Sequence, residues 1–214
     1  MKVFLSRDKP SKILADNAKE FGWELTCFSC IEQKLLTSDE PPGADWIFFY
    51  SPSSARLYLN NFSRRQYRFG ALGNGTANAL KESGINPDFL GSFSSPQKSV
   101  EEFSWNLKLN ETIVQARAED SFERLKNAIS SQQIIDWPFY KTTTKESVPK
   151  FVADYYILTS PSNARAYLHH HNFHQQAKII VFGESTLEVI PKELSSRVAV
   201  TEYPGEEHAL PLIW

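Results

Sequence analysis

The chain is short of the residues that mark most common chemistries. It has two cysteines and one methionine in 214 residues. The cysteines form a single C-x-x-C, "CFSC" at Cys27 and Cys30, with no second pair to complete a zinc site. The flanking "WELTCFSCIE" alternates like a strand, whereas a redox pair sits where a strand turns into a helix, so free, buried or half-buried thiols are expected. No segment approaches the roughly 18 uninterrupted apolar residues of a membrane span. The opening "MKVFLSRDKP" reaches charge at Arg7 before an apolar core of signal-peptide length can form, which makes the cytoplasm the expected compartment. An excess of positive charge is missing too: with a net charge of −2 and a pI of about 6.2, nothing global attracts nucleic acid or an anionic membrane. No G-x-G-x-x-G follows the first strand, no G-x-x-x-x-G-K-[ST] occurs, and no Ser/His/Asp or metal constellation has usable spacing.

Two local features are read as structural. The basic run "RRQYR", Arg64 to Arg68, is a solvated turn after a helix, with a ligand role as the alternative. "HHHNFH" holds His170 and His174 at i, i+4, a spacing that could bind metal on a helix face. Histidines at a helix end more simply complement the negative end of its dipole.

What is present is enough apolar material, 41% hydrophobic and 13% aromatic, to fill one large core or two small ones, and a repeat. "DWIFFYSPSSARLYL" (45–59) returns as "DYYILTSPSNARAYL" (154–168), and "FGALGNGTANAL" aligns with "IIVFGESTLEVI" at nearly the same offset, superposing Gly73 on Gly183 and Thr76 on Thr186. "DWIFFY" reads as a strand buried on both faces of a parallel sheet and "SARLYLNNF" as its helix. Around these lie "KVFLS", "WELTCFSCI", "DFLGSF", "ETIVQAR" and "QQIIDWPFYKT" as strands. "SKILADNAKEFG", "AEDSFERLKNAI" and "SVEEFSWNLKL" read as helices, the last opened by a Ser99/Glu102 capping box. "LTSDEPPGA" (36–44) is a turn-rich break that could carry a domain boundary. Such alternation implies parallel sheets with right-handed crossovers, and the doubled pair of junctions implies two related α/β lobes.

The junctions carry the chemistry. Ser160 can cap a helix, Pro161 suits its first position, and Ser162 exposes a hydroxyl beside free N–H groups; Ser51, Pro52 and Ser53 repeat the arrangement. At "GNGT" and "GEST" a glycine allows a tight turn, with Thr76 and Thr186 placed to donate hydroxyls. Helix starts at the carboxyl ends of parallel strands attract carboxylate or phosphate. Four of them predict a polyanionic ligand other than a nucleotide. A receiver-like signalling domain would need an acidic cluster at these strand ends, but Asp45 and Asp154 precede their strands.

In this order, "FLSRDKP", "DWIFFYSPSSARLYL", "ALGNGTANALKESG", "TIVQAR", "FYKTTT", "ILTSPSNARAYL" and "VFGESTLEVI" make the whole chain resemble the uroporphyrinogen-III synthase family. The resemblance implies a lyase of the haem and tetrapyrrole pathway, without cofactor or metal. It would cyclise linear hydroxymethylbilane to uroporphyrinogen III, with loss of water and inversion of ring D through an azafulvene and a spiro intermediate. Tyr140 in "FYKT" matches the family tyrosine and would give a hydrogen bond or proton to the leaving hydroxyl. Thr76, Ser160 and Thr186 match cleft hydroxyls, joined by Ser51, Ser53 and Ser162, that would hold the substrate's eight carboxylates. Arg7 matches an arginine able to pair with a carboxylate, and Arg117 in "VQAR" is a further match, followed by Ala118 where relatives often have glycine. Arg56 and Arg165, a full turn into their helices, read as solvated or structural.

The implied fold is α/β: two flavodoxin-like lobes with parallel sheets, the first discontinuous (1–37 with 148–214), the second 38–147, joined by a two-stranded linker with the active site in a cleft between them. A monomer is expected, with hydroxymethylbilane synthase as a transient contact and no nucleic acid or membrane partner. The chain departs from relatives in its short ending, "EYPGEEHALPLIW", and in Glu184 where proline is common. These keep a non-catalytic, two-lobed binding protein of the same fold as the alternative.

Overall fold

The computed structural model describes residues 1–213 apart from 64–65, 93–94 and 122–123. The chain divides into two compact units, residues 1–32 with 143–214 and residues 33–142. Its strands and α-helices follow in chain order. They are β1 (Lys2–Leu5), α1 (Lys12–Glu20), β2 (Glu24–Cys27), β3 (Ile31–Leu35), β4 (Trp46–Phe49), α2 (Pro52–Asn61), β5 (Arg68–Ala71), α3 (Asn74–Glu82) and β6 (Phe89–Leu90). Then come α4 (Pro96–Asn106), β7 (Ile113–Ala118), β8 (Ile134–Thr144), β9 (Tyr155–Leu158), α5 (Pro161–His170), β10 (Lys178–Val181), α6 (Glu184–Leu187), β11 (Val198–Val200) and α7 (Glu206–Ala209).

The first unit holds a five-stranded parallel sheet, β11-β10-β9-β1-β2. Counted along the unit this is order 2-1-3-4-5, the flavodoxin-type winding, with its switch point between β1 and β9. The second unit holds β3-β8-β7-β4-β5-β6, with parallel pairs from β6 through to β8. Counted from β4 it has the other doubly wound order, 3-2-1-4-5, with its switch point between β4 and β7 and β3 added at the edge. The chain crosses between units twice, inside β3 and inside β8, which are neighbours in that sheet. The expected α/β fold with a discontinuous first sheet and a two-stranded connection is therefore present.

Burial explains the central strands. All four residues of β4 and all four of β9 are buried, as continuous apolar runs require when helices cover both faces of a sheet. The sequence repeat is a structural repeat down to single bonds. Asp45 Oδ2 accepts the Thr112 N–H at 2.8 Å and Asp154 Oδ2 accepts the Lys2 N–H at 2.7 Å, each tying a neighbouring strand to the start of the central one. Arg68 lies over the Trp46 ring at 4.3 Å and Lys178 over the Tyr155 ring at 5.7 Å. Buried Tyr58 and Tyr167 hold matching places in α2 and α5, but their bonds differ, Tyr58 donating to the Ser63 carbonyl after its helix and Tyr167 to the Phe151 carbonyl before β9.

Several expectations need correction. "WELTCFSCI" is two strands, because the Cys30 N–H leaves the ladder to bond Asn163 Oδ1 at 2.8 Å. The capping box at Ser99 is absent: α4 starts three residues earlier, with Pro96 in its first turn after Ser95. Ser99 is buried inside the helix, and Glu102 reaches back to the N–H and hydroxyl of Ser92. Within "AEDSFERLKNAI" the described helical structure is one 3-10 turn, Arg124–Asn127. The helix after "GEST" is a single turn, so one of the four expected anion-binding helix starts is short. α5 ends at His170, so His174 lies beyond it, while His170 and His171 bond the carbonyls of Lys145 and Val148. Arg64 and Arg65 of the basic run lie outside the described residues; Arg68 pairs with Glu111 at 2.8 Å.

Cys27 and Cys30 are free. Burial pushes their thiols up to about 11 and about 12, so neither is a thiolate at neutral pH. Among the described residues no helix is long and apolar enough to cross a membrane.

Candidate active site

In the second unit, β4 ends at the switch point and the chain turns through Ser51 into α2. Ser51 is in extended backbone and its Oγ accepts the Ser54 N–H at 3.1 Å, a helix N-cap with Pro52 following. Ser51 Oγ lies 3.1 Å from Ser53 Oγ and 3.2 Å from Ser54 Oγ, and the Ser54 hydroxyl donates to the Ser51 carbonyl at 2.9 Å. The start of α3 packs alongside: a β-carbon on Gly75 would come within 3.2 Å of Pro52 Cγ, so the second glycine of "GNGT" permits this approach. Thr76, in the first turn of α3, is buried.

Tyr140 reaches this cluster from β8. A β-bulge shifts the β7/β8 register between Arg117 and Ala118, so that Arg117 pairs with Pro138 but Ala118 with Tyr140. The bulge breaks the strict alternation of faces, and both Phe139 and Tyr140 are buried. Pro138, with no N–H to give the ladder, suits that irregularity. The Tyr140 phenol meets the hydroxyls of Ser51 and Ser54. Burial pushes its pKa above the usual tyrosine value, and the two serines partly oppose that rise. At neutral pH the group is a protonated phenol, able to donate.

Arg117 maintains the bulge. Its Nε and Nη2 donate to the two Asp136 carboxylate oxygens, both at 2.7 Å, and Nη1 donates to the carbonyls of Ala118 and Glu119. The guanidinium hydrogen bond holds the Asp136 carboxyl below the usual range. The side chain is thus committed to the frame of the unit.

In the first unit, Ser6 and Thr159 lock the ends of β1 and β9 together. The Thr159 N–H donates to Ser6 Oγ at 2.8 Å and Thr159 Oγ1 donates to the Ser6 carbonyl at 3.1 Å. That places Arg7 and Ser160 at one switch point. Ser160 Oγ accepts the Asn163 N–H at 3.2 Å, capping α5, and half-buried Ser162 lies in the first turn. Arg7 pairs with Glu206 at 3.0 Å and lies over the Phe182 ring at 5.6 Å. Thr186 is fully buried and its hydroxyl donates to the Phe182 carbonyl at 3.3 Å, facing inward. Arg56 forms an exposed ion pair with Glu82, as a solvated helix residue does.

The structure therefore gathers Ser51, Ser53 and Tyr140 at one switch point, with buried Thr76 at the neighbouring start of α3, and Arg7, Ser160 and Ser162 at the other, and it engages Arg117 with Asp136 and Thr186 with the Phe182 carbonyl. Ser54 and Glu206 were missed in the sequence. The signal for Ser54 was its place in the repeat, since it is where the phrases "SPSS" and "SPSN" differ. For Glu206 the signal was the lack of a Glu or Gln three residues after the N-cap Ser11.

Two doubly wound parallel sheets, one interrupted in sequence by the other and each with capped helix starts at its switch point, define a two-unit α/β protein. The family model "Uroporphyrinogen-III synthase HemD" matches residues 12–210, and the chain belongs to that family, which takes its name from a cofactor-independent hydro-lyase whose substrate is hydroxymethylbilane. Its structure is similar to that of uroporphyrinogen-III synthetase from Helicobacter pylori 26695, with a TM-score of 0.72 and 17% identity over 99% of this chain and 97% of that one. It is also similar to a mutant uroporphyrinogen III synthase from the extremely thermophilic bacterium Thermus thermophilus, with a TM-score of 0.52 and 12% identity over 100% and 97%. At such identities the likeness is one of fold. No curated protein matches the chain in sequence.

Proposed function

We propose that this protein catalyses the family reaction, closing hydroxymethylbilane to uroporphyrinogen III with loss of water and inversion of ring D. The observation that carries the reading is the bulge that brings the protonated phenol of Tyr140 to the serine-capped start of α2. There Tyr140 gives its proton, or a hydrogen bond, to the departing hydroxyl, which leaves as water. The pyrrole rings supply the electrons for each bond made and broken, so what remains for the protein is to hold a flexible octacarboxylate folded for the less direct ring closure. Ser51, Ser53 and Thr76 with the first N–H groups of α2 and α3 serve that purpose in one unit. Arg7, Ser160 and Ser162 with the start of α5 serve it in the other. The protein works as a cytoplasmic monomer that takes its substrate from hydroxymethylbilane synthase.

A second reading, a binding protein without turnover, is favoured by the single-turn α6 and the commitment of Arg117 to Asp136. One assay decides. Hydroxymethylbilane is generated by its synthase, the protein is added, and the porphyrins are oxidised and separated. Isomer III in excess of the spontaneous isomer I is expected; isomer I alone from folded protein selects the second reading.

A further inference from the structure

The buried carboxylate of Glu206 takes no part in the chemistry above, yet it is the group that touches Arg7. The C-terminal segment is anchored by Ala209 and Ile213, which pack into the cluster of Val3, Leu5, Leu14 and Phe182 and bring α7 against α1. Within that packing the Glu206 side chain is 1% exposed while that of Arg7 is 47% exposed. Glu206 Oε1 accepts from Arg7 Nη1 at 3.0 Å and Oε2 accepts from the Ser11 N–H at 2.6 Å. Ser11 is the N-cap of α1. In a local capping box its N–H would be taken by a Glu or Gln at the third helical position, but that position is Leu14. Glu206 supplies the missing half from 195 residues away.

The Arg7 guanidinium thus has an inner and an outer edge. Nη1 is committed inward, whereas Nε and Nη2 have no partner among the described residues. An arginine held only by its flexible stem loses rotamer freedom when it grips a carboxylate. One whose inner edge is already fixed loses little, so its outer edge binds better. Glu206 is also poorly placed to swing away, because both its oxygens are engaged and leaving would strand the pair's charges in partly dry surroundings.

We propose that Glu206 is a positioning residue of the tetrapyrrole site, clamping the inner edge of Arg7 and capping α1 so that the outer guanidinium edge is held out to a substrate carboxylate. This rests on Arg7 being a substrate contact. It also gives α7 a purpose, the delivery of one carboxylate to the end of β1.

The test compares the parent protein with E206D, which keeps the charge but withdraws it by one methylene, and E206Q, whose amide turns a donor toward one of two donors, the Ser11 N–H or the Arg7 guanidinium. Each raises KM for hydroxymethylbilane about tenfold with kcat within about twofold of the parent, and neither raises it further once Arg7→Ala is present. The same coupling appears in the Kd for uroporphyrin III, a stable octacarboxylate, read by quenching of tryptophan fluorescence. An unchanged Kd in both variants, tighter binding in either, or an equal loss in the Arg7→Ala background overturns the clamp whatever the activity. Coupled binding without isomer III overturns the synthase reading and supports the clamp. A wild-type protein that neither binds uroporphyrin III nor forms isomer III overturns both. If E206Q does not fold by circular dichroism, E206D carries the comparison.

Discussion

At the start of α2, Ser51 and Ser54 meet a phenol; at the start of α5, the same phrase with Asn163 in the fourth place meets a turn of the backbone. Asn163 Oδ1 takes the Cys30 N–H at 2.8 Å and its amide returns to Ser160 Oγ at 3.3 Å, so that helix start is partly covered by its own unit. Ser54 is too short to reach out, and the space beside it receives Tyr140. The duplicated junction has kept its frame, from Asp45 and Asp154 to Tyr58 and Tyr167, and diverged at one side chain that decides what may approach. The glycine junctions diverge as well. Gly183 has φ +82°, a conformation open to glycine, whereas Gly73 is in extended backbone that any residue adopts.

The largest expected effect breaks the first contrast. Tyr140→Phe should slow isomer III formation about 100-fold with the fold intact by circular dichroism; an unchanged rate would reduce the phenol to packing. The glycine contrast is sharpened by two alanine variants. Gly183→Ala should cost up to about 3 kcal/mol and Gly73→Ala should stay within about 0.5 kcal/mol, compared by urea denaturation. Equal losses would mean that the two turns are constrained alike.

Asn163→Ala leaves the buried Cys30 N–H unpaired and should cost about 1 to 2 kcal/mol, with Ser54→Ala costing less. The smallest effect separates the cation–ring pairs. Burial raises the Glu111 carboxyl, but hydrogen bonds from Arg68, the Trp46 indole and the Lys108 N–H bring it down to about 2, against 4.5 when unperturbed. A lowered folded-state pKa stabilises fully above the unfolded value and is lost as pH falls from about 4.5 toward 2. Among the described residues Lys178 has no such carboxylate partner. The Tm should therefore drop over that window, and Glu111→Gln should flatten the drop; an unchanged slope would place the acid sensitivity elsewhere.

What was legible in the sequence was whatever local chemistry determines. The buried runs "WIFF" and "YYIL", the caps Ser51 and Ser160 and the glycine turns need no distant partner to be recognised. The break between β2 and β3 was hidden because its cause, Asn163, lies 133 residues away while the local alternation continues through it. Ser99 and Glu102 imitated a helix start because the spacing is the same wherever the helix begins. Tyr140 was recognisable only by resemblance; its orientation depends on a bulge that needs β7 beside it. For Glu206 the sequence showed only the gap it fills, Leu14 at the third helical position, and not the partner 195 residues away.

The interrupted first sheet also sets an order of events during synthesis. β1 pairs with β9 through Val3 and Tyr155, and the inserted unit lies wholly between them in sequence. At about 5–20 residues per second on the ribosome, the inserted unit can finish folding while the apolar edge of β1 waits on the order of ten seconds for its partner. For that interval "VFL" is an uncovered strand edge, and the nascent chain carries a completed domain beside an unfinished one.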